Sequence, residues 1–364
     1  MKNKLVIIFL FFIQLFIFNC GQNSQDNDDY KYTSDYEVSF QAQSKRTFRD
    51  LDIVKTTEIH FEELDSMVYD PGYCVVSRKG EIFIIDFSTY LLHKFKIKDS
   101  ELHHKVFGNG DGHGPGEFIG AVPDFKVYKD KLYIAQPQRL SIMVFSTAGK
   151  YIRDIPFDRH GEAGVMPEKF AVLSENDIVV ITRGVKKKNA LYTRIDSLGN
   201  IVSTFGSYLY GSSEGGDVLH YSNLRRSDDT SFYCYESNLN CAGLFVKDEL
   251  SFVKTGIDGI PDTKADIEQE THKNESLTIT GVKNRKIVIR PIVDCPSKNM
   301  VIVKCHHIKE KQVYYDVYKR DDFSYLCSLN NFPKTHYYCM NGDTLYCAND
   351  YTLSIYAINF DSIL

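Results

Sequence analysis

Tryptophan is absent from the sequence, and helix-favouring alanine is sparse, which leans the chain toward strands. No Cys-x-x-Cys occurs, which removes zinc-knuckle and thioredoxin-type readings. Neither a Gly-x-Ser-x-Gly elbow nor a His-Glu-x-x-His helix is present, so two common hydrolase signatures are missing. A basic excess is lacking as well: 43 Lys and Arg stand against 48 Asp and Glu, a formal net charge of −5. Nucleic acid is therefore not an expected partner, since such a surface normally needs surplus cations. No apolar run is long enough for a membrane-spanning helix. The longest, Leu5 to Phe18, is broken only by Gln14. As a helix it rises ~21 Å against a hydrocarbon core of ~30 Å, which fits the core of a signal peptide instead.

What is present suffices for a large core. The 364 residues are 43% hydrophobic and 25% charged, with 24 Phe and 24 Tyr, a length that allows one or two domains. Lys2 and Lys4 precede the apolar run and Cys20 closes it. Residues 1–19 read as a signal peptide. The stretch Ile17-Phe18-Asn19-Cys20 resembles a bacterial lipobox, although Phe18 and Asn19 stand where small residues are usual; the alternative is an ordinary secretory signal followed by a chance cysteine. Lipidation at Cys20 would make the membrane the first partner, each buried methylene contributing ~0.8 kcal/mol. The polar, acidic stretch from Gly21 to Asp29 cannot bury enough apolar area to fold, so 20–48 reads as a lipidated cysteine and flexible tether. The expected location is the bacterial cell envelope, in the outer membrane facing the periplasm or at the cell surface.

The body repeats. Ile82–Asp86 follows a Lys79-Gly80 turn and precedes Leu92–Phe95; fifty residues on, Leu132–Gln136 follows Lys129-Asp130 and precedes Ile142–Phe145. The phrase returns at Ile178–Thr182 with Leu191–Ile195, at Ser231–Tyr235 with Leu244–Val246, at Met300–Lys304 with Tyr314–Tyr318, and at Thr344–Ala348 with Ser354–Ala357. One longer gap holds an insertion near Asp258–Arg285. Each unit carries about four short strands separated by turn residues, the sequence signature of propeller blades. The expectation is an all-β fold over 49–364: a six-bladed β-propeller of four-stranded antiparallel blades. Its ring is closed by an N-terminal strand, Thr56–Phe61, that completes the last blade and covers its edge.

The run Phe107-Gly108-Asn109-Gly110-Asp111-Gly112-His113-Gly114-Pro115-Gly116-Glu117-Phe118 resembles the opening of NHL-type propeller repeats. The match continues through Lys131–Ala135, Arg139, Met143–Phe145 and Gly149-Lys150-Tyr151, and thins after residue 206. The chain is similar to six-bladed, TolB-like propeller lipoproteins of Gram-negative bacteria, which implies fold and address more than chemistry. Read on its own, the Gly-rich run is a turn between blades, with Glu117 capping backbone N–H groups. It lacks the strand–loop–helix context of a phosphate loop and the oxygen ligands of a calcium loop.

The repeat register brings Asp86, Arg139, Arg183, Tyr235, His306, His307 and Asp350 to the face that carries the blade-to-blade connections and the hairpins between second and third strands. The basic runs Lys186-Lys187-Lys188 and Lys304–Lys309 fall there too, and would focus an anion or simply be solvated turns. Adjacent His306 and His307 point to opposite faces of a strand and cannot share an ion. Neither a metal nor a cofactor is called for. Of the eight cysteines after Cys20, only Cys234 and Cys241 look placed to face each other across a hairpin, against the simpler reading of buried free thiols. The functional expectation is a propeller face that binds a protein, carbohydrate or other envelope ligand. The alternatives are a lyase or hydrolase of polysaccharide, with acid and base drawn from Asp86, Arg139, His306 and Asp350, and a scaffold subunit without catalysis.

Overall fold

The computed structural model describes residues 38–39, 45–120, 122–157, 169–181, 191–206, 222–237, 240–258, 267–271, 278–282 and 287–363. Six four-stranded antiparallel blades stand round a common axis, as the repeats require. From the axis outward, blade 1 is Pro71–Val76, Ile82–Asp86, Leu91–Lys98 and Glu101–Phe107. Blade 2 is Phe125–Tyr128, Lys131–Gln136, Ser141–Ser146 and Tyr151–Pro156. Blade 3 is Phe170–Ser174, Asp177–Ile181, Tyr192–Ile195 and Ile201–Phe205. Blade 4 is Ser222–Arg226, Ser231–Glu236, Cys241–Val246 and Glu249–Thr255. Blade 5 is Ile287–Cys295, Met300–His307, Gln312–Lys319 and Tyr325–Leu329. Blade 6 takes Tyr337–Asn341, Thr344–Ala348 and Thr352–Asn359 from the C-terminal end of the chain.

Its outer strand is Asp52–His60, antiparallel to Thr352–Asn359 with a register running from Thr352↔His60 to Asn359↔Asp52. The closing strand thus begins four residues before the expected Thr56. Ordered pairing reaches further upstream, into the stretch read as tether: Phe48–Arg49 lies parallel to Tyr325–Leu329 of blade 5, and Val38–Ser39 parallel to Glu249–Thr255 of blade 4. The N-terminal chain therefore passes along the outer edges of blades 4 and 5 before it becomes an integral strand of blade 6. The insertion after Asp258 contributes a separate hairpin, Ile267–Thr271 with Thr278–Val282.

The second strand of each blade is apolar at nearly every position because blades pack on both its faces. In blade 1, alternate side chains divide between two interfaces: Ile82 and Ile84 join the core between blades 6 and 1, while Phe83 and Ile85 join that between blades 1 and 2. The same division gives six apolar clusters, one at each blade interface. Outer strands pack on fewer neighbours, and Ile201–Phe205 is accordingly half exposed.

The Gly-rich segment is the turn from blade 1 to blade 2. Glu117 accepts the Gly114 N–H at 2.6 Å, and a Cβ at Gly112, where φ is +155°, would lie 2.2 Å from the Glu117 carboxylate and force it off this position. The expected facing of Cys234 and Cys241 does not occur. Cys234 stands opposite Gly243 and Cys241 opposite Glu236, two positions out of register, and the Tyr192 hydroxyl donates to the Cys234 sulfur at 2.7 Å. Both thiols pack in the core between blades 3 and 4.

Candidate functional site

The innermost strands of the blades surround a central cavity of about 1370 Å³. These strands have one face toward neighbouring blades and one toward the axis, so polar residues at alternate positions project inward. Among the described residues, seven Lys and Arg line the cavity against three Asp. Tyr73, Tyr90, Tyr128 and Tyr337 supply aromatic wall, and Val122, Val127 and Ile292 add apolar surface.

The cations are built in from successive blades. Lys126 of blade 2 donates to Asp124 at 2.8 Å, and Asp124 also accepts the backbone N–H groups of Phe125 and Phe170. Lys169, at the start of blade 3, donates to the Tyr73 hydroxyl at 3.0 Å and to the Pro123 carbonyl, which ties blades 1, 2 and 3 together. Arg225 of blade 4 reaches the Pro291 carbonyl of blade 5 at 3.3 Å. Arg290 of blade 5 is exposed to the cavity. Burial pushes the Lys126 ammonium down to about 8; Asp124 opposes the shift, and Arg225 and Lys169 add to it. Charges of one sign are therefore held close together in a partly dry space, where an arriving anion is attracted most strongly.

A second cavity of about 370 Å³ shares His336 with the first and is lined by Lys304, Lys311 and Lys334, with no carboxylate among the described residues. Burial lowers the Lys304 pKa and Arg290 lowers it further. Near blades 6 and 1, carboxylates act on one another. Burial raises the Asp70 pKa, and the charges of Asp86 and Asp350 raise it further.

A different cluster lies between blades 4 and 5. Arg46, from the N-terminal chain, grips two carboxylates: its Nε and one terminal nitrogen each donate to Asp316 at 3.0 Å, and both terminal nitrogens donate to Asp258. The guanidinium also lies 4.0 Å from the centre of the Tyr314 ring. His307 Nε2 meets Asp258 at 3.0 Å and Nδ1 meets Glu310 at 2.6 Å, while the Cys305 thiol donates to Asp258 at 3.4 Å. Asp258, Cys305 and His307 present ligand-type atoms within 4.8 Å of one another. The cation gathered by this group is the Arg46 guanidinium, which already occupies both Asp258 oxygens. Burial works against charge on Asp258, but Arg46 and His307 hold its carboxyl below the usual range.

The residues named from sequence are spread over these features rather than gathered at one. Asp86 is buried and serves the backbone, accepting from the N–H groups of Tyr69, Asp70 and Ser88 and from the Thr89 hydroxyl. Arg139 supports the Gly-rich turn through the carbonyls of His113, Gly114 and Glu117 and pairs with Asp154. Tyr235 is 1% exposed, packed edge-on to Phe323 in the core between blades 4 and 5. His306 is exposed on blade 5, whereas its neighbour His307 turns inward. Asp350 meets His336 at 3.2 Å beside the cavity mouth. Arg183, Lys186 to Lys188 and Cys20 lie outside the described residues.

The inner-strand cations were not singled out by sequence reasoning. For Lys126 a signal was available, since Phe125-Lys126-Val127 places a charge between apolar residues in the first strand of a blade; Arg225, followed by Arg226, had no such flanks. Arg46 carried no such signal, sitting before any strand pattern begins.

No family model matches the sequence, and no curated protein resembles it significantly. Solved structures do share the architecture. A member of the DUF4221 family from Bacteroides vulgatus superposes with a TM-score of 0.55 at 12% identity, over 85% of this chain and 98% of that one. A candidate exported protein from Bacteroides fragilis gives a TM-score of 0.53, also at 12% identity, over 88% and 99%. At this identity the likeness concerns the fold.

Proposed function

We propose that this propeller is an envelope binding protein whose central cavity holds an acidic carbohydrate without transforming it. The carrying observation is the excess of cations over carboxylates in a tyrosine-lined cavity at the axis, on a chain whose overall charge is negative. Arg225 and Arg290 provide donors for carboxylate or sulfate groups, and the tyrosine rings provide flat apolar surface for sugar faces. The export reading is supported by the lipobox-like Cys20 and by the NHL-like phrase at 107–118, and it accords with the exported character of the Bacteroides fragilis structure of the same fold. In this reading a lipid on Cys20 holds the propeller at the membrane. A Cys20→Ser chain expressed in a Gram-negative host should then move from the membrane fraction to the soluble one; unchanged fractionation would remove the anchor.

Binding is tested by calorimetry of the propeller against uronic-acid oligosaccharides, sulfated oligosaccharides and neutral oligosaccharides of equal length. The acidic sugars should bind and the neutral ones should not. Replacing Arg225 with Ala should cost about tenfold or more, the scale of one charge-assisted hydrogen bond. An anion favours protonated Lys126, so affinity should be full below about pH 8 and fall above it. Lys126→Met should flatten that limb. Equal affinity for neutral and acidic sugars, or indifference to Arg225→Ala, would rule the cavity out as the site.

A further inference from the structure

The seam between blades 6 and 1 is where the two ends of the propeller meet, and it carries a pair of cysteines. Cys74 belongs to the inner strand of blade 1 and Cys339 to the inner strand of blade 6. Their sulfurs lie 3.0 Å apart, although the residues are 265 positions apart in sequence. Cys74 is 6% exposed and Cys339 partly exposed, and both line the central cavity. Cys347 lies in the next strand of the same blade, yet its side chain joins the core between blades 5 and 6, on the opposite face of the sheet from Cys339. The arrangement therefore selects one partner for Cys74.

The geometry points to Cys74 and Cys339 as a disulfide pair that fastens the ring at its seam. Hydrogen bonding already closes the ring at the outer strand of blade 6, through Asp52–His60. A bond at the inner strands would fasten the same seam from the axis side. A crosslink spanning so many residues restricts the unfolded chain strongly in the chain-entropy account of disulfide stabilisation. Formation needs a disulfide donor, either a protein thiol oxidase of the envelope or a small-molecule disulfide. One thiolate of the pair attacks the donor disulfide and displaces a donor thiolate. The second cysteine, as thiolate, attacks the resulting mixed disulfide and releases the other donor sulfur. Two protons and two electrons pass to the donor, which leaves as a dithiol where it is a protein oxidase and as two thiols where it is a small-molecule disulfide. Burial raises the Cys339 pKa, with Cys74 adding to the shift, so exchange is slow in the closed ring and fastest while the blades are still coming together.

Occupation of the pair in the cell rests on the export reading, whereas its geometry does not, and the experiment separates the two. Reduced full-length chain is refolded with oxidised glutathione, denatured, alkylated without reductant and mapped by mass spectrometry. The expected result is a peptide pair joined through Cys74 and Cys339 and lighter by two hydrogens. It should vanish in Cys74→Ser and in Cys339→Ser and persist in Cys347→Ser. Reduction should lower the urea midpoint of the wild-type chain and leave that of Cys74→Ser unmoved. Full alkylation of both residues, or a Cys74–Cys347 link, overturns the assignment. If the link forms in vitro while chain expressed with its own leader in a Gram-negative host stays in the cytoplasm with both thiols free, the pairing stands as chemistry and the export reading fails.

Discussion

Replacing Arg46 with Ala should destabilise the propeller by about 3–5 kcal/mol, the cost of removing one partner from a buried ion cluster. Asp316 has no exposed side-chain surface, and beyond Arg46 it has, among the described residues, only the Ser328 hydroxyl, at 2.6 Å, as a side-chain donor. Burial already raises the Asp316 pKa and Asp258 adds to that, with Arg46 as the main opposing influence. Without the guanidinium, two carboxylates face each other across a gap that water enters poorly. Arg46→Lys should recover less than half of the loss, because one ammonium cannot reproduce two bidentate pairs.

The pH dependence of the defect has a definite sign. A carboxyl whose folded pKa is raised carries its full penalty above that folded value, and the penalty is relieved as pH falls from there toward the unfolded pKa. The Arg46→Ala deficit should therefore be larger at pH 7 than at pH 4.5. Adding Asp316→Asn to Arg46→Leu should restore part of the stability, since the uncompensated charge is then gone. Urea unfolding of the wild type and these four variants measures all of this, and hydrogen exchange at residues 45–51 reports whether the N-terminal chain has left blades 4 and 5. A loss below about 1 kcal/mol for Arg46→Ala would mean that the cluster is solvated like a surface pair.

This cluster also shows where the sequence was legible. Second and third strands came through because burial on both faces makes them dense apolar phrases, as in Ile82–Asp86 and Met300–His307, and repetition multiplies the signal. The closing strand was legible because the last repeat holds three strands and Thr56–Phe61 has the pattern to supply the fourth, although the strand itself begins earlier, at Asp52. Arg46 was not legible, because its meaning is set by Asp258 and Asp316, 212 and 270 residues away. Asp86 shows the opposite limit. Its position at the end of a second strand was read correctly, but only three-dimensional bonding shows that its oxygens are taken up by Tyr69, Asp70, Ser88 and Thr89. Register fixes where a residue lies; competition among nearby donors fixes whether it remains available.

The second large effect is expected in acid and comes from a histidine pair in blade 1. His93 is fully buried on the third strand, its Nδ1 lies 3.0 Å from His104 Nε2 on the outer strand, and its Nε2 finds no partner among the described residues. The two rings stack with Phe95 into one column. Burial pushes His93 down to about 4, His104 adds to the shift and Asp86 opposes it. Burial lowers His104 as well, against the pull of Asp65. Between the ordinary histidine value of 6.5 and about 4, the unfolded chain takes up a proton that folded His93 refuses, so stability is fully present above 6.5 and drains away as pH falls through that window. The full loss from this one site is about 3 kcal/mol. Raised carboxyls such as Asp70, Asp177, Asp294 and Asp316 work in the other direction, so the wild-type curve alone is ambiguous. The difference between wild type and His93→Phe isolates the histidine, because phenylalanine keeps the stack and removes the titrating nitrogen. His93→Phe should match the wild type near pH 7 and exceed it by about 2–3 kcal/mol at pH 4.5 in urea unfolding. Parallel curves over that range would show that His93 gains its proton without opening the blade, through water reaching the column between the third and outer strands.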